Sequence, residues 1–189
     1  MAYRASLGAL AGRVRELIYD TGGSPAWSND QVAGALDQHR RYHNNEKLRS
    51  EPRLLPGGVK VYREHFSRWG YWESDAVLRD ATGATLAPDT GAGQTDYLLG
   101  YFYFGSGQNP PVYIDGKTYD VYAAAADLLE EWLAVKKNEF DFTSAGSAYG
   151  QKGAALSQVF RQYQALAKEY RARVQPQAVK LVKSDATRG

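Results

Sequence analysis

Two histidines are the first residues whose spacing suggests chemistry. His39 and His43 lie four residues apart, and on a helix this spacing places two imidazoles on one face, where they can bind a metal. Arg40 and Arg41 lie between them and would repel a cation, and the sequence has no cysteine to complete a ligand set. The pattern therefore favours a polar packing or interface role. His65, in a predicted strand, has no partner that the sequence implies.

Two glycine-containing stretches match nucleotide-binding motifs only in part. Gly116-Lys117-Thr118 resembles the end of a phosphate-binding loop, but position 111, where the motif needs its first glycine, is a proline. Gly91-Ala92-Gly93-Gln94 has no later glycine in register and no helix pattern after it, both of which a dinucleotide-binding motif requires. Neither stretch predicts a nucleotide site.

Acidic side chains are numerous, but no pair of them suggests acid and base catalysis. Glu130 and Glu131 are adjacent on a predicted helix and point about 100° apart, and Asp89 with Asp96 is no better supported. The sequence also shows no Ser-His-Asp spacing, metal cluster or glycine-rich cradle. We therefore expect a protein that is not an enzyme and that binds no metal or cofactor.

The composition limits the class of protein. A chain of 189 residues can form one domain, or one domain with a sizeable insertion. Without cysteine it has no disulfides and no thiolate chemistry. No stretch approaches 18 consecutive apolar residues, and residues 1–5 lack the features of a secretory signal, so we expect no membrane association and no export by that route.

Positive charge is concentrated at the C-terminal end. Residues 161–189 hold seven lysine or arginine side chains and two acidic ones, a net charge of +5, while the whole chain is +2, so residues 1–160 sum to −3. A basic terminus can bind nucleic acid or an acidic protein surface, and a solvated helix face followed by a tail explains the same charges.

Hydrophobic spacing predicts two helices before residue 54. Apolar residues from Leu7 to Ile18 recur mostly at intervals of three and four, and Ser6 is a candidate N-cap. Ser28 and Gln31 form a capping box, which predicts a helix from about Asn29 to about Tyr42.

Two further helices are predicted near the C-terminal end. Asp120 is a candidate cap for apolar residues that repeat at helical spacing as far as Val135, and a loop is expected over Phe140–Ser147. From Leu156 to Val174 a strict four-three apolar alternation predicts a helix that packs on a helical partner, and Pro176 ends it.

Short runs of β-branched and aromatic residues between these helices predict strands. The candidate strands are Val59–Phe66, Tyr71–Arg79, Thr95–Phe104 and Val112–Thr118. Asp80–Gly83 reads as a turn, and Asp115-Gly116 reads as the tip of a type I′ hairpin.

The aromatic residues of these strands allow two interpretations. Alternate residues can fill a core, or they can form an exposed face, since Tyr and Trp are enriched where proteins meet proteins, sugars or bases. Tyr101-Phe102-Tyr103-Phe104 must place aromatic rings on both faces of its strand. The candidates for a subunit or tail interface are Trp69, Trp72, Tyr101 and Tyr103.

These elements predict a mainly α fold. Residues 1–54 and 120–174 would form a bundle of about four helices, and residues 55–119 would form a β-rich insertion between the second and third helices. Residues 175–189 would form an extended C-terminal tail.

One segment resembles a known family. Tyr113–Trp132, together with Gln38–Arg40, Phe140–Thr143 and Leu166–Arg171, is similar to the head-to-tail connector or adaptor proteins of tailed bacteriophages. Members of that family are small helical bundles that form a ring, usually twelve-fold, beneath the portal. The resemblance covers roughly half of the chain, and the β-rich insertion departs from the smallest members.

The resemblance implies a structural virion protein, made in the host cytoplasm and placed at the neck, where it links the capsid vertex to the tail. Its partners would be copies of itself, the portal protein, the next neck or tail-completion protein, and DNA that passes through the channel without sequence-specific contact. By similarity, the C-terminal segment binds the portal. This assigns portal binding to Gln175, Gln177, Val179, Lys180, Leu181, Val182, Lys183 and Arg188.

Two other classes of function remain open from the sequence. The aromatic strands fit a glycan-binding module, and the basic C-terminal end fits a DNA-binding packaging protein.

Overall fold

A computed structural model describes residues 3–22, 26–144 and 151–174 of the chain. In this part, four α-helices accompany seven strands arranged in two antiparallel sheets. The fold is therefore mixed α/β, and the predicted mainly α helical bundle was wrong. The predicted tail, residues 175–189, lies outside the described residues.

The helices surround one long central helix. A single 3-10 turn over Ala5–Leu7 leads into α1, and the helices are α1 (Gly8–Leu17), α2 (Asn29–Gln38), α3 (Val121–Ser144) and α4 (Gln151–Arg173). Helices α1, α2 and α4 each pack against α3. Helix α3 is thus the partner that the four-three alternation of α4 predicted.

Two of the three predicted helix caps are confirmed. Ser28 Oγ accepts a hydrogen bond from the Gln31 N–H, and Gln31 Oε1 accepts one from the Ser28 N–H, which is the predicted capping box. The Asp120 carboxylate accepts a hydrogen bond from the Ala123 N–H in the first turn of α3. Ser6 caps no helix, because its hydroxyl donates to the Glu73 carboxylate at 2.6 Å.

The second helix ends four residues earlier than predicted. Helix α2 stops at Gln38, and β1 (Arg40–Lys47) follows directly after His39. The sequence of β1 is almost entirely polar and lacks the apolar alternation that marks a half-buried strand. Its backbone is held instead by antiparallel pairing with a later strand, a long-range contact that local sequence patterns do not reveal.

The strands form two sheets. One has the order β1–β7–β4–β5, with β4 (Val77–Arg79), β5 (Thr85–Leu86) and β7 (Tyr113–Tyr119). The other has the order β2–β3–β6, with β2 (Arg49–Leu54), β3 (Lys60–Phe66) and β6 (Tyr101–Tyr103). The buried Leu48 lies between β1 and β2, so the chain passes from one sheet to the other there. Strands therefore begin well before residue 55, where the insertion was predicted to start.

The predicted strands are confirmed to different extents. Strands β3 and β7 match their predictions closely, whereas only the C-terminal parts of the predicted Tyr71–Arg79 and Thr95–Phe104 strands form β4 and β6. The turn at Asp80–Gly83 is confirmed, since the Asp80 N–H donates to the Ala84 carbonyl and Gly83 has a φ of 88°.

Two predicted loops were wrong. Asp115 and Gly116 lie inside β7, where the Asp115 carboxylate accepts hydrogen bonds from the Asn45 N–H and from Arg79 on the flanking strands. The predicted loop over Phe140–Ser147 is helical as far as Ser144, because no glycine or proline interrupts the chain before Gly146. The rest of that loop lies outside the described residues.

Two hydrophobic cores stabilise the described part of the chain. The helical core contains residues of all four helices, with Tyr119 and Val121 at the junction between β7 and α3. The sheet core is formed by Leu48, Trp72, Leu78, Phe102, Phe104, Val112 and Ile114. Strand β7 extends from the sheet core to the helical core, because Ile114 lies in the first and Tyr119 in the second.

Candidate functional site

A two-stranded hairpin extends beyond the rest of its sheet, and we call it the β-arm (Pro52–Tyr62). Strand β6 pairs with β3 only from Glu64 to Phe66, and the chain after β6 reaches the base of the β-arm, where the Gln108 N–H donates to the Tyr62 carbonyl. Beyond this base, the β-arm consists of β2 and β3 paired with each other. All ten residues from Glu51 to Lys60 are exposed. A two-stranded ribbon is only marginally stable by itself in water, so this arrangement favours a contact that covers it.

The tip of the β-arm has a well-defined turn. The Gly58 N–H donates to the Leu55 carbonyl at 3.0 Å, and the Leu55 N–H donates to the Val59 carbonyl at 2.9 Å. Pro56 occupies the second position of this turn, and Gly57, with a φ of 91°, occupies the third, which is the residue order of a type II turn. The side chains beside the turn are therefore presented in a fixed geometry.

The tip is apolar and carries positive charge. Leu54 is 66% exposed, Val59 58% and Leu55 38%, although side chains of this kind are usually buried. Arg53 and Lys60 flank them, one on each strand. Adjacent exposed apolar side chains rimmed by charge are typical of a surface that contacts another macromolecule.

An acidic groove lies between α2 and α3. Its volume is about 360 Å³, and its walls are Gln31, Gly34, Ala35 and Gln38 of α2 with Asp127, Leu128, Glu130 and Glu131 of α3. Asp127 lies 2.5 Å from His39 Nε2 and also contacts Arg171, which hydrogen-bonds Glu130 at 2.7 Å. Even with Arg171 beside it, the groove keeps an excess of negative charge.

A second groove, between α3 and α4, has the opposite charge. It is open, with a volume of about 690 Å³, and apolar side chains such as Leu133 and Ala165 line it. Arg161, Lys168 and Arg171 surround these side chains, with Glu130 the one acid in the lining. The two faces of α3 thus differ in charge, so the acidic groove suits a basic partner and the basic groove suits an acidic one.

A small recess of about 110 Å³ lies where the sheets meet the helices. Trp69, Tyr71 and Tyr122 line it together with Arg41 and Arg173. The Arg173 guanidinium lies 5.6 Å from the centre of the Tyr122 ring, and burial raises the pKa of Tyr71 above its ordinary value. Tyr71 has a φ of 58°, an unusual value for a residue with a side chain. The recess is smaller than the cavities that hold most organic ligands.

A buried ionic network joins the N-terminal segment to both cores, and Glu73 is its centre. The Glu73 side chain is fully buried, and it accepts hydrogen bonds from Arg4 at 2.9 Å, Ser6 at 2.6 Å and Tyr119 at 2.5 Å. Burial alone would raise the pKa of Glu73, but these hydrogen bonds and the Arg4 charge lower it to about 2. Arg4 also binds the Asp37 carboxylate with two hydrogen bonds of 2.9 Å.

The network is structural in character. Glu73 is inaccessible to a substrate, and each of its partners is a fixed side chain of the fold. Burial and the Glu73 charge raise the pKa of Tyr119 above its ordinary value, so its hydroxyl remains a hydrogen-bond donor at neutral pH. The arrangement holds the Glu73 and Asp37 carboxylates in place beneath the protein surface.

The three histidines are accounted for by packing. His39 ends α2, whereas His43 lies in β1, where its Nε2 is 2.8 Å from Thr118 Oγ1 and its ring lies between Trp69 and Trp72. His65 is fully buried against Ser50, and burial lowers its pKa. Among the residues that the structure describes, no three His, Cys, Asp or Glu side chains are grouped as a metal site would require.

The predicted interface aromatics divide into two groups. Trp72 is only 1% exposed and belongs to the sheet core, so its ring is not on the surface of the protomer. Trp69 is half-buried, with Arg68 4.7 Å from the centre of its ring. Tyr101 and Tyr103 are half-buried, while Phe102 between them is fully buried, which is the alternation expected of a strand with one face on a core.

The predicted portal-binding residues are not among the described ones. Gln175, Gln177, Val179, Lys180, Leu181, Val182, Lys183 and Arg188 lie beyond Val174, where the description ends. Their assignment stays a prediction.

Sequence reasoning missed the β-arm as a candidate site. Its signal is nevertheless present, since Leu54-Leu55-Pro56-Gly57-Gly58-Val59 combines a Pro-Gly turn with apolar residues on both sides. What the sequence did not show is that no third strand and no helix covers these side chains, because that depends on how far β6 extends along β3.

Comparison of the chain with protein-family models, curated proteins and solved structures finds no significant match. Within the described segments, no helix combines the length and the apolar character needed to cross a lipid bilayer.

Proposed function

We propose that this protein is a structural subunit of a tailed-bacteriophage virion, a head-to-tail adaptor that forms a ring beneath the portal. The ring would link the capsid vertex to the tail and leave a channel for DNA. The observation that supports this best is the β-arm, whose exposed apolar tip lies on a hydrogen-bonded turn and is of the kind that contacts another macromolecule. The choice of a head-to-tail adaptor among assembly proteins rests on the resemblance of Tyr113–Trp132 to that family.

A ring subunit needs two different contact surfaces. In a head-to-tail contact, one face of each copy binds a different face of the next, and the ring closes when the rotation between copies divides a full turn. The β-arm and the grooves beside α3 differ in shape and in charge, so they supply such a pair. An enzyme would instead need accessible reactive groups, and the Glu73 and Asp37 carboxylates of the buried network are closed to substrate.

The two alternative functions have weaker support. A glycan-binding face needs flat, exposed aromatic rings, but Trp72 lies in the core and Trp69 is half-buried beneath Arg68. A DNA-binding surface needs available cations. Arg171 and Arg173 are both engaged by neighbouring carboxylates, whereas Arg161 and Lys168 line the groove between α3 and α4, and the basic residues after Val174 lie outside the described part of the chain.

The proposal is tested by measuring the mass of the purified protein by mass photometry, alone and mixed with portal rings from the same virus. We expect the protein to join the portal in a fixed subunit ratio of about one to one. We also expect removal of Gln175–Gly189 to abolish portal binding while the circular dichroism spectrum and the melting temperature stay unchanged. If the full chain fails to bind the portal at any salt concentration, the proposal is wrong.

A further inference from the structure

We propose that the β-arm of one copy inserts into the acidic groove between α2 and α3 of the next copy. This inference rests on the proposed ring and specifies which surfaces form it. The occupant of the groove is thus a second copy of this chain, and the contact is of the head-to-tail kind. Three properties of the described residues support it: the opposite charges of the β-arm and the groove, the fit of the β-arm between two helices, and the like charge that makes the neighbouring groove unsuitable.

The charges of the two surfaces are opposite. Arg53 and Lys60 are the only charged residues of the β-arm between Pro52 and Tyr62, so the β-arm carries a charge of +2. Three carboxylates, those of Asp127, Glu130 and Glu131, line the groove. Arg171 pairs with both Asp127 and Glu130 and offsets one of these charges, and His39 also contacts Asp127, so a net negative charge remains. Complementary potentials of this kind favour encounter in one orientation.

The positions of the cations suit insertion of the β-arm between two helices. Arg53 pairs with Val61 and Lys60 pairs with Leu54, and neighbouring pairs of an antiparallel ladder point to opposite faces. One cation therefore lies on each face of the β-arm. A β-arm that enters a groove can then place an apolar side chain at the floor and a cation near a wall.

The groove has room for an apolar tip. Gly34 and Ala35 of α2 have small side chains, and a Cβ added at Gly34 would meet no atom within 4 Å. Leu128 of α3 lies between them but is only 2% exposed, so the apolar floor of the groove is small. Leu54 and Val59, both more than half exposed in the protomer, would lose this exposure on docking, and burial of apolar surface stabilises association.

The groove between α3 and α4 is a poor alternative for the same tip. It is larger and also partly apolar, but Arg161, Lys168 and Arg171 surround it. Placing Arg53 and Lys60 there would bring like charges together, which opposes binding. The groove between α3 and α4 is about twice as large and more apolar, so charge is the property that favours the acidic groove for this tip.

Crosslinking between single-cysteine variants tests the contact directly, because the natural chain contains no cysteine. Val59→Cys in the β-arm is mixed with an affinity-tagged Gly34→Cys variant, and a short bismaleimide is added. The matched control pairs Val59→Cys with Gln164→Cys, an exposed position in the basic groove. We expect the mixed dimer with Gly34→Cys to form at least about tenfold faster than the mixed dimer with Gln164→Cys. The first would form through a specific contact, and the second only through random encounters. Equal rates would overturn the inference.

Charge reversal gives a second measurement on the same crosslink. We expect Lys60→Glu in the β-arm, or Glu131→Lys in the groove, to slow formation of the mixed dimer about fivefold, which is the effect of losing a partly exposed ion pair. When one copy carries Lys60→Glu and the other carries Glu131→Lys, the two positions again have opposite charges. The rate of mixed-dimer formation should therefore recover. Failure to recover, with each single change still folded by circular dichroism, contradicts the pairing of these two surfaces.

The outcomes separate this inference from the proposed function. If the protein joins the portal but crosslinking does not favour Gly34, the ring uses other surfaces and only the inference fails. If crosslinking favours Gly34 but no portal binding occurs, the self-contact is real and the adaptor function is wrong.

Discussion

Replacing Glu73 by Gln should remove the charge at the centre of the buried network with little change in side-chain volume. Glu73 is fully buried, and Arg4, Ser6 and Tyr119 all donate hydrogen bonds to it. Its pKa falls from an ordinary value of 4.5 to about 2 in the folded protein. Since one pKa unit corresponds to about 1.4 kcal/mol, the ionised carboxylate contributes about 3 kcal/mol at neutral pH.

The dependence of this contribution on pH follows from the direction of the shift. A carboxyl group whose pKa is lower in the folded state stabilises the fold fully above its unfolded pKa, here above about pH 4.5. The contribution is lost as the pH falls from 4.5 through 2, and it is roughly 1.4 kcal/mol at pH 3. The Asp37 pKa is also lowered, chiefly by its hydrogen bond to Arg4, and the nearby Glu73 charge opposes that shift.

Urea unfolding, followed by tryptophan fluorescence at pH 7, 5 and 3, measures the effect. We expect Glu73→Gln to lower the free energy of unfolding by about 3 kcal/mol at pH 7, and the difference from the natural protein to shrink by more than half at pH 3. Glu51→Gln is the control, because Glu51 forms an exposed ion pair with Arg49 and should change stability little. A loss below about 1 kcal/mol at pH 7, or one that is equal at pH 7 and pH 3, would refute the reasoning.

Three further substitutions test separate parts of the fold. Ser28→Ala should cost about 1 kcal/mol in urea unfolding, because it removes the capping box of α2, and an unchanged midpoint would contradict that role. Gly100→Ala should lower the melting temperature far more than Gly83→Ala. Both glycines have a positive φ, but only at Gly100 would an added Cβ collide with the Trp69 carbonyl oxygen. Equal changes in melting temperature would contradict this close approach. Tyr170→Phe should cost roughly 1 kcal/mol in the same unfolding assay, because the Tyr170 hydroxyl donates to the Leu17 carbonyl, and no loss would show that this bond contributes nothing.

Elements with a strong local signal could be predicted from the sequence. The start of α2 is fixed by Ser28 and Gln31, and the apolar alternation before Val174 identified α4 and its need for a helical partner. The turn after β4 was likewise predicted, because Asp is favoured where its side chain can accept backbone hydrogen bonds and Gly where φ is positive, and Asp80 and Gly83 stand at such positions.

Elements that depend on distant parts of the chain could not be predicted. Strand β1 is polar at most positions and forms because it pairs with β7, far along the chain. Strand β2 pairs with β3 directly after it, but its mostly polar residues lack the apolar alternation that would have marked it as a strand. Asp115-Gly116 has the residue types of a hairpin tip, yet pairing with β1 and β4 on both sides keeps it extended. The mainly α prediction failed because these pairings outweighed local preference.

The candidate site was predicted least well, for a related reason. Aromatic residues of the predicted strands were candidates for the interface, but Trp72 lies in the core, while the exposed apolar residues include Leu54 and Val59 of the β-arm together with Tyr19, Tyr42, Leu99 and Val135. Which apolar side chains stay exposed depends on where neighbouring strands end, a property of the folded chain as a whole. Exposure at Leu54 and Val59 is therefore a structural result and not a sequence pattern.

Electron cryomicroscopy of the purified protein mixed with the portal rings of the proposed virus is the measurement to make for the adaptor ring. We expect end-on views in which copies of this chain form one closed ring on the portal, with the β-arm of each copy in contact with its neighbour. Portal rings that remain bare at saturating protein concentration, or that carry isolated copies with no contact between them, would contradict it.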